Sequence, residues 1–325
     1  MAAAAMTLLL AASLALAGCA AQSGSTTTPG ANSQAGNGAP PAPPGGGGPG
    51  GAPPGAGGPG ASTAQYTPTG AYTLSSGRAT KSGAISASAD DQSGVLVTKT
   101  GSLTLTNASV TTSGKSKSSD ESSFYGLNAG VLAQNGGKIA MTGGSVKTTG
   151  DGANGVFAYG TSAIAISGTS ISATGQYAHG IMASGGGSLT ASNLTVNTTG
   201  GSSAPIATDR GGGTIVANGG TYTCSGNNSP AIYSTGKITT NGGTYAATGS
   251  EVVVIEGANS VALNNSALTA RKAGKWGVMI YQSMSGDGRA PRASTRKPAA
   301  VSRRRQPTVR SSTSRTPRPL SRSKA

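Results

Sequence analysis

GVLAQNGGKIAMTGGSVKTTG at 130–150, GVFAYGTSAIAISGTSISATG at 155–175 and GIMASGGGSLTASNLTVNTTG at 180–200 are three copies of one pattern. Two weaker copies follow, from Pro205 and from Ala231. The apolar residues that open them, Val131, Val156, Ile181, Ile206 and Ile232, recur at spacings of 25, 25, 25 and 26. A second apolar column lies eight residues on in most copies, through Leu103, Ile139, Ile164, Leu189, Ile215, Ile238 and Val261. A third lies seven further, through Val110, Val146, Ile171, Val196, Tyr222, Tyr245 and Leu268. Further copies open at Val95, Val253 and Val278. Three short β-rich segments per period, parted by Gly, Asn and Ser, predict an all-β parallel β-helix. This is a three-sheet solenoid with about 25 residues per turn and about seven turns. One turn cannot bury its own apolar side, so the turns must stack about 4.8 Å apart. A β-sandwich would not hold three fixed phases through seven copies.

Composition agrees. Glycine is 54 of 325 residues, about 17% against roughly 7% in ordinary proteins, while charged residues are 10% and aromatics 4%. Helical bundles and doubly wound enzymes need more Leu, Glu, Lys and aromatics than this. Two cysteines exclude a disulfide framework, and a single histidine excludes a His-rich metal site. No metal and no cofactor is expected.

A polar column follows the second apolar one. Thr106, Thr142, Ser167, Ser192, Asn218, Asn241 and Asn264 stand three residues past it, and each can both donate and accept. Stacked turns would align them as a side-chain ladder at one corner, with a small residue next, as in Gly143-Gly144, to turn the chain. Cys224 shares a phase with Thr112, Thr148, Ala173 and Thr198 and reads as a small core side chain. His179 reads as a turn residue, and Asp120-Glu121 as part of a solvated loop within the insertion 113–127.

The recurrent G-[VI]-x-A…[IL]-x-[MIA]-[TS]-G-G-[ST] blocks resemble the pectin-lyase-like right-handed β-helices. They are closer still to adhesin-like and autotransporter-passenger-like surface proteins of bacteria. WGVMIYQSMSGD at 276–287 is similar to a segment such proteins carry between turns. The resemblance covers about residues 90–287 and implies a right-handed solenoid. It speaks weakly to activity, because the fold hosts lyases, hydrolases and plain adhesins alike.

The N-terminus reads as an address. Residues 7–18 form an apolar stretch, and Leu16-Ala17-Gly18-Cys19 resembles the bacterial lipoprotein signal, which implies cleavage after 18 and a diacylglycerol on Cys19. No Lys or Arg precedes the stretch, which points to a start codon upstream or a clipped terminus. The organisation expected is a signal peptide over 1–18, a lipidated cysteine with a Gly/Pro-rich linker over 19–70, the β-helix over 71–287 and an Arg-rich tail over 288–325. The linker contains PPAPPGGGGPGGAPPGAGGPG at 40–60, which cannot bury enough apolar surface to offset its ordering entropy. Such a chain is exported and held at the cell envelope or surface by its lipid, on the outer membrane in a two-membraned bacterium.

The net charge of +15 is uneven. The first 288 residues hold twelve basic and nine acidic side chains; the last 37 hold twelve basic and none acidic. The change of character at Gly288 reads as out-of-frame translation of a GC-rich gene, with both terminal segments disordered. The alternative, a basic arm that binds nucleic acid or another polyanion, fits poorly with an exported lipoprotein.

Chemistry on this fold needs acids on adjacent turns. Of the nine, Asp209 and Glu256 share a column, two turns and roughly 9–10 Å apart by strand spacing, with Thr235 between them. They are the weak catalytic candidates. A surface contact is the stronger expectation. Leu96, Leu132, Phe157, Met182, Ala207, Tyr233, Val254 and Met279 follow the first-strand positions, and strict alternation turns them outward. An apolar stripe left exposed there would bind a glycan or another copy, unless this phase points inward and its neighbours outward, or the insertion 113–127 covers it. The function expected is non-catalytic adhesion or envelope contact by a lipid-anchored β-helix. The alternative is a polysaccharide lyase or glycoside hydrolase.

Overall fold

The computed structural model describes residues 67–282. Each period of the sequence becomes one coil of three strands. Val131–Gln134, Lys138–Thr142 and Ser145–Thr148 make one coil; Val156–Tyr159, Ala163–Ser167 and Ser170–Ala173 make the next. Every strand pairs in parallel with its counterpart one coil away, so Val131 faces Val156 and Val156 faces Ile181. The first strands form a nine-stranded sheet running from Thr69–Leu74 to Val278–Tyr281. The second and third strands form the two arms of a fourteen-stranded sheet, joined where the eleven-residue strand Ser102–Thr112 runs through both. The chain is a parallel β-solenoid.

Nine coils are present where the apolar columns suggested about seven turns. The first was hidden because its strand Thr69–Leu74 carries Tyr72 and Leu74 where the pattern sought Val or Ile.

The three apolar columns converge on one core that includes Val131, Ile139 and Val146 from a single coil, all at most 3% exposed. In the later coils Tyr222 and Tyr245 replace the smaller residues of the third column. Their rings stack 5.0 Å apart and nearly parallel inside the prism.

Two corners explain the small residues. After the ladder position, Asn107, Gly143, Gly168, Asn193, Gly219, Gly242 and Asn265 all adopt φ between +48° and +73°. Only glycine and asparagine hold that left-handed turn cheaply. After the third strand, Gly150, Gly175, Gly200, Gly226 and Gly249 stack so closely that a Cβ on any of them would strike the carbonyl of the glycine one coil before. Loops here close by a five-residue bond: Thr148 Oγ1 donates to the Ala153 carbonyl at 2.6 Å, and Cys224 Sγ to the Ser229 carbonyl at 2.9 Å. The insertion breaks this device, leaving Thr112 Oγ1 and Asn128 Oδ1 buried without partners.

Candidate functional site on the outer face of the first sheet

The nine-stranded sheet has an outward face of two columns. The apolar one keeps its expected register, Leu96↔Leu132↔Phe157↔Met182↔Ala207↔Tyr233↔Val254↔Met279. It points away from the prism core and packs as a separate cluster. The expected exposure is corrected here. Leu132, Phe157 and Met182 are 0% exposed, Tyr233 is 4%, and Met279 is partly buried.

The insertion supplies the cover over the early coils. Helix α1, Ser119–Tyr125, is the one helix among the described residues. The Ser118 side chain accepts the Glu121 N–H at 3.1 Å, Asp120 and Glu121 occupy the first turn, and Gly126 ends the helix in a left-handed cap. The expected loop at Asp120-Glu121 is therefore helical. At Gly126 the chain lies so close to the sheet that a Cβ would fall 2.6 Å from Leu132 Cδ1 and 2.8 Å from Phe157 Cγ. Phe124 and Tyr125 meet edge to face, as do Tyr125 and Tyr159, and the Arg210 guanidinium sits 4.1 Å from the Phe124 ring centroid.

The second outward column is polar: Gln134, Tyr159 and Ser184 pair in register, Asp209 and Thr235 follow the ends of their strands, and Glu256 pairs with Tyr281. Its early half holds the helix. Gln134 Nε2 donates to the Tyr125 carbonyl at 2.7 Å and Ser184 Oγ to the Phe124 carbonyl at 2.5 Å, satisfying two carbonyls that a helix end leaves open.

The late half gathers the two acids. The Tyr233 and Tyr281 hydroxyls both donate to Glu256 Oε2, the latter at 2.9 Å. Burial, then the charges of Asp209 and Glu256, holds the Tyr233 phenol well above its usual range; burial and Glu256 do the same to Tyr281. Both stay protonated as donors. Asp209 Oδ1 accepts the Arg210 N–H at 2.7 Å, and Thr208 Oγ1 accepts the Thr235 N–H at 2.9 Å. Thr235, 9% exposed, stands between the acids with Oγ1 unpartnered. The sequence placed Asp209, Thr235 and Glu256 in one column but missed the two tyrosines that engage Glu256. Tyr281 lies in phase with Glu256, and that phase relation was the available signal.

The ladder residues Thr106, Thr142, Ser167, Ser192, Asn218, Asn241 and Asn264 stand in register at the corner between the two arms. Asn241 Nδ2 donates to Asn218 Oδ1 and Asn264 Nδ2 to Asn241 Oδ1, each at 2.8 Å, while Ser167 reaches Thr142 at 3.5 Å. Burial pushes the Cys224 thiol up to about 12, which fits a packed and unreactive side chain. Among the described residues no cluster of three His, Cys, Asp or Glu could hold a metal, and no helix is long and apolar enough to cross a membrane. Cys19 and the Arg-rich tail lie outside the described residues.

The chain matches no protein family, no curated protein and no solved structure.

Proposed function

We propose that this is a lipid-anchored bacterial surface protein, acylated at Cys19, whose solenoid makes a non-catalytic adhesive or envelope contact. One observation carries the reading. The chain's own helix α1 covers the early coils of the first sheet, while the second sheet presents rows of hydroxyls to solvent beside exposed Lys138, Lys147 and Lys237. Ser170, Thr195, Thr221 and Thr244 are exposed and in register on four successive coils. Rows of hydroxyls at strand spacing suit a repeating, hydroxyl-rich ligand such as a glycan, or another envelope polymer. The contact is therefore assigned to these rows rather than to Leu132, Phe157, Met182, Tyr233 and Met279. Palmitate labelling lost in Cys19→Ala tests the anchor. A glycan-array signal without product release, lost in a Thr195→Lys/Thr221→Lys variant of unchanged fold, tests the contact. Retained binding in that variant overturns the assignment.

The second reading, a glycoside hydrolase, is favoured by the Asp209–Thr235–Glu256 column and its unpartnered hydroxyl. It requires release of reducing ends from a polysaccharide, abolished by Glu256→Gln. Glu256 Oε2 already holds two phenolic donors, so it serves better as a fixed acceptor than as a general acid.

A further inference from the structure

The corner after the third strands holds one side chain that its backbone disfavours. Gly152, Tyr177, Ser202 and Asn228 share a phase on four successive coils, and all are left-handed, with φ of +69°, +54°, +52° and +55°. The coil-to-coil ladder sets this conformation. The Gly152 N–H donates to the Gln176 carbonyl at 2.7 Å, that of Tyr177 to the Gly201 carbonyl at 2.9 Å, and that of Ser202 to the Asn227 carbonyl at 2.9 Å. Gly and Asn hold such a turn cheaply, whereas a bulky side chain is strained there. Among the described residues no other aromatic takes a positive φ.

Little packing offsets the strain. Tyr177 is 38% exposed and belongs to neither apolar cluster. Among the described residues before the last coil, it is the one large apolar side chain so exposed. Its ring meets no other described ring, and its hydroxyl has no hydrogen-bond partner among the described residues. In its own column it is flanked by a glycine on one coil and a serine on the next. A strained residue that the core does not require is a mark of function.

The surroundings suit a sugar. Asp151, Gln176 and Asn227 are exposed in the adjoining column, one residue before the left-handed position. Asp151 Oδ1 accepts the Gln176 N–H at 2.9 Å, and Oδ2 remains as a further acceptor. Along the same coil Ser170, Ser172 and Thr174 alternate with buried Ile171 and Ala173, leading from the hydroxyl rows to this corner. We propose that Tyr177 anchors the glycan contact, its ring stacked on the apolar C–H face of a pyranose whose hydroxyls bond to Gln176 and Asp151. This rests on the reading that the solenoid binds a glycan, and it narrows the ligand to pyranoses with equatorial hydroxyls. An axial hydroxyl would interrupt the flat C–H face that the ring needs.

The full chain, with acylation blocked by Cys19→Ser, is tested on an array of cellohexaose, chitohexaose and mannohexaose, the last with an axial hydroxyl on every ring. Tyr177→Phe and Tyr177→Asn are tested beside it, and urea midpoints are measured for all three. The wild type should bind cellohexaose or chitohexaose, and Tyr177→Phe should keep that binding. Tyr177→Asn should weaken it at least about tenfold, as loss of an aromatic anchor does, and raise the urea midpoint by relieving the strain. Binding undiminished in Tyr177→Asn, or confined to mannohexaose, overturns this proposal and leaves the glycan reading standing. A lower urea midpoint in Tyr177→Asn makes the ring a packing residue and overturns the proposal even if binding falls. A wild type that binds no glycan overturns both.

Discussion

His179 shows how much one buried side chain can impose on the whole. Its backbone N–H donates to Asn154 Oδ1 at 2.8 Å and its ring Nδ1 accepts the Ala204 backbone N–H at 2.9 Å, so the residue links three successive coils and its ring, the acceptor of one of these bonds, is neutral there. Burial lowers its pKa from 6.5 to about 4. The unfolded chain takes up this proton first as the pH falls. Its contribution is therefore complete above about pH 6.5 and lost as the pH drops through the window down to about 4. The loss is on the order of 3 kcal/mol. Urea midpoints should fall across that window in the wild type and stay level over its upper half in His179→Asn, which keeps an acceptor for Ala204. A level wild-type midpoint contradicts the neutral, buried ring. From sequence His179 was legible only as a turn residue, because its bonds run to other coils and leave no local mark. The stacked glycines had a mark: Gly150, Gly175 and Gly200 recur at the period of the apolar columns. In a chain so rich in glycine, that recurrence does not stand out.

At the scale of elements, alternation decided which side chains face the core. It could not decide what lies over the other face. The columns through Val131, Ile139 and Val146 were readable because each strand needs only period two and each coil repeats it. Helix α1 was not readable, since seven residues are too few to show a helical period and its apolar side is only Phe124 and Tyr125. Yet that helix and its Gly126 cap cover the early part of the expected stripe, at Leu132 and Phe157. Phe124→Ala should cost about 3 kcal/mol or more, as removal of a buried phenyl ring usually does. It also removes the ring beneath the Arg210 guanidinium. Hydrogen exchange checks the mechanism: protection should fall at 131–134 and 156–159 and hold at 237–241, on the opposite sheet and later coils. Uniform loss of protection would mean that α1 is part of the global fold rather than a local cover.

Over the described residues the solenoid is a sum of near-identical coil interfaces, which is why its fold was readable from the sequence. The polar site was half readable. The phase of Asp209 and Glu256 follows from counting residues, whereas the Tyr233 and Tyr281 bonds to Glu256 depend on how far each ring reaches. The central claim is that these coils stack in register, and spin labels test it most directly. Ser145, Thr195 and Thr244 occupy one outward column, with Thr195 two coils and Thr244 four coils from Ser145. Cys224 is buried and need not be replaced, while Cys19 is removed. Labels at 145/195 and 145/244 should show separations growing in proportion to coil number, about 10 Å and then about 19 Å between backbones. Separations that do not grow with coil number would contradict the stacked-coil account.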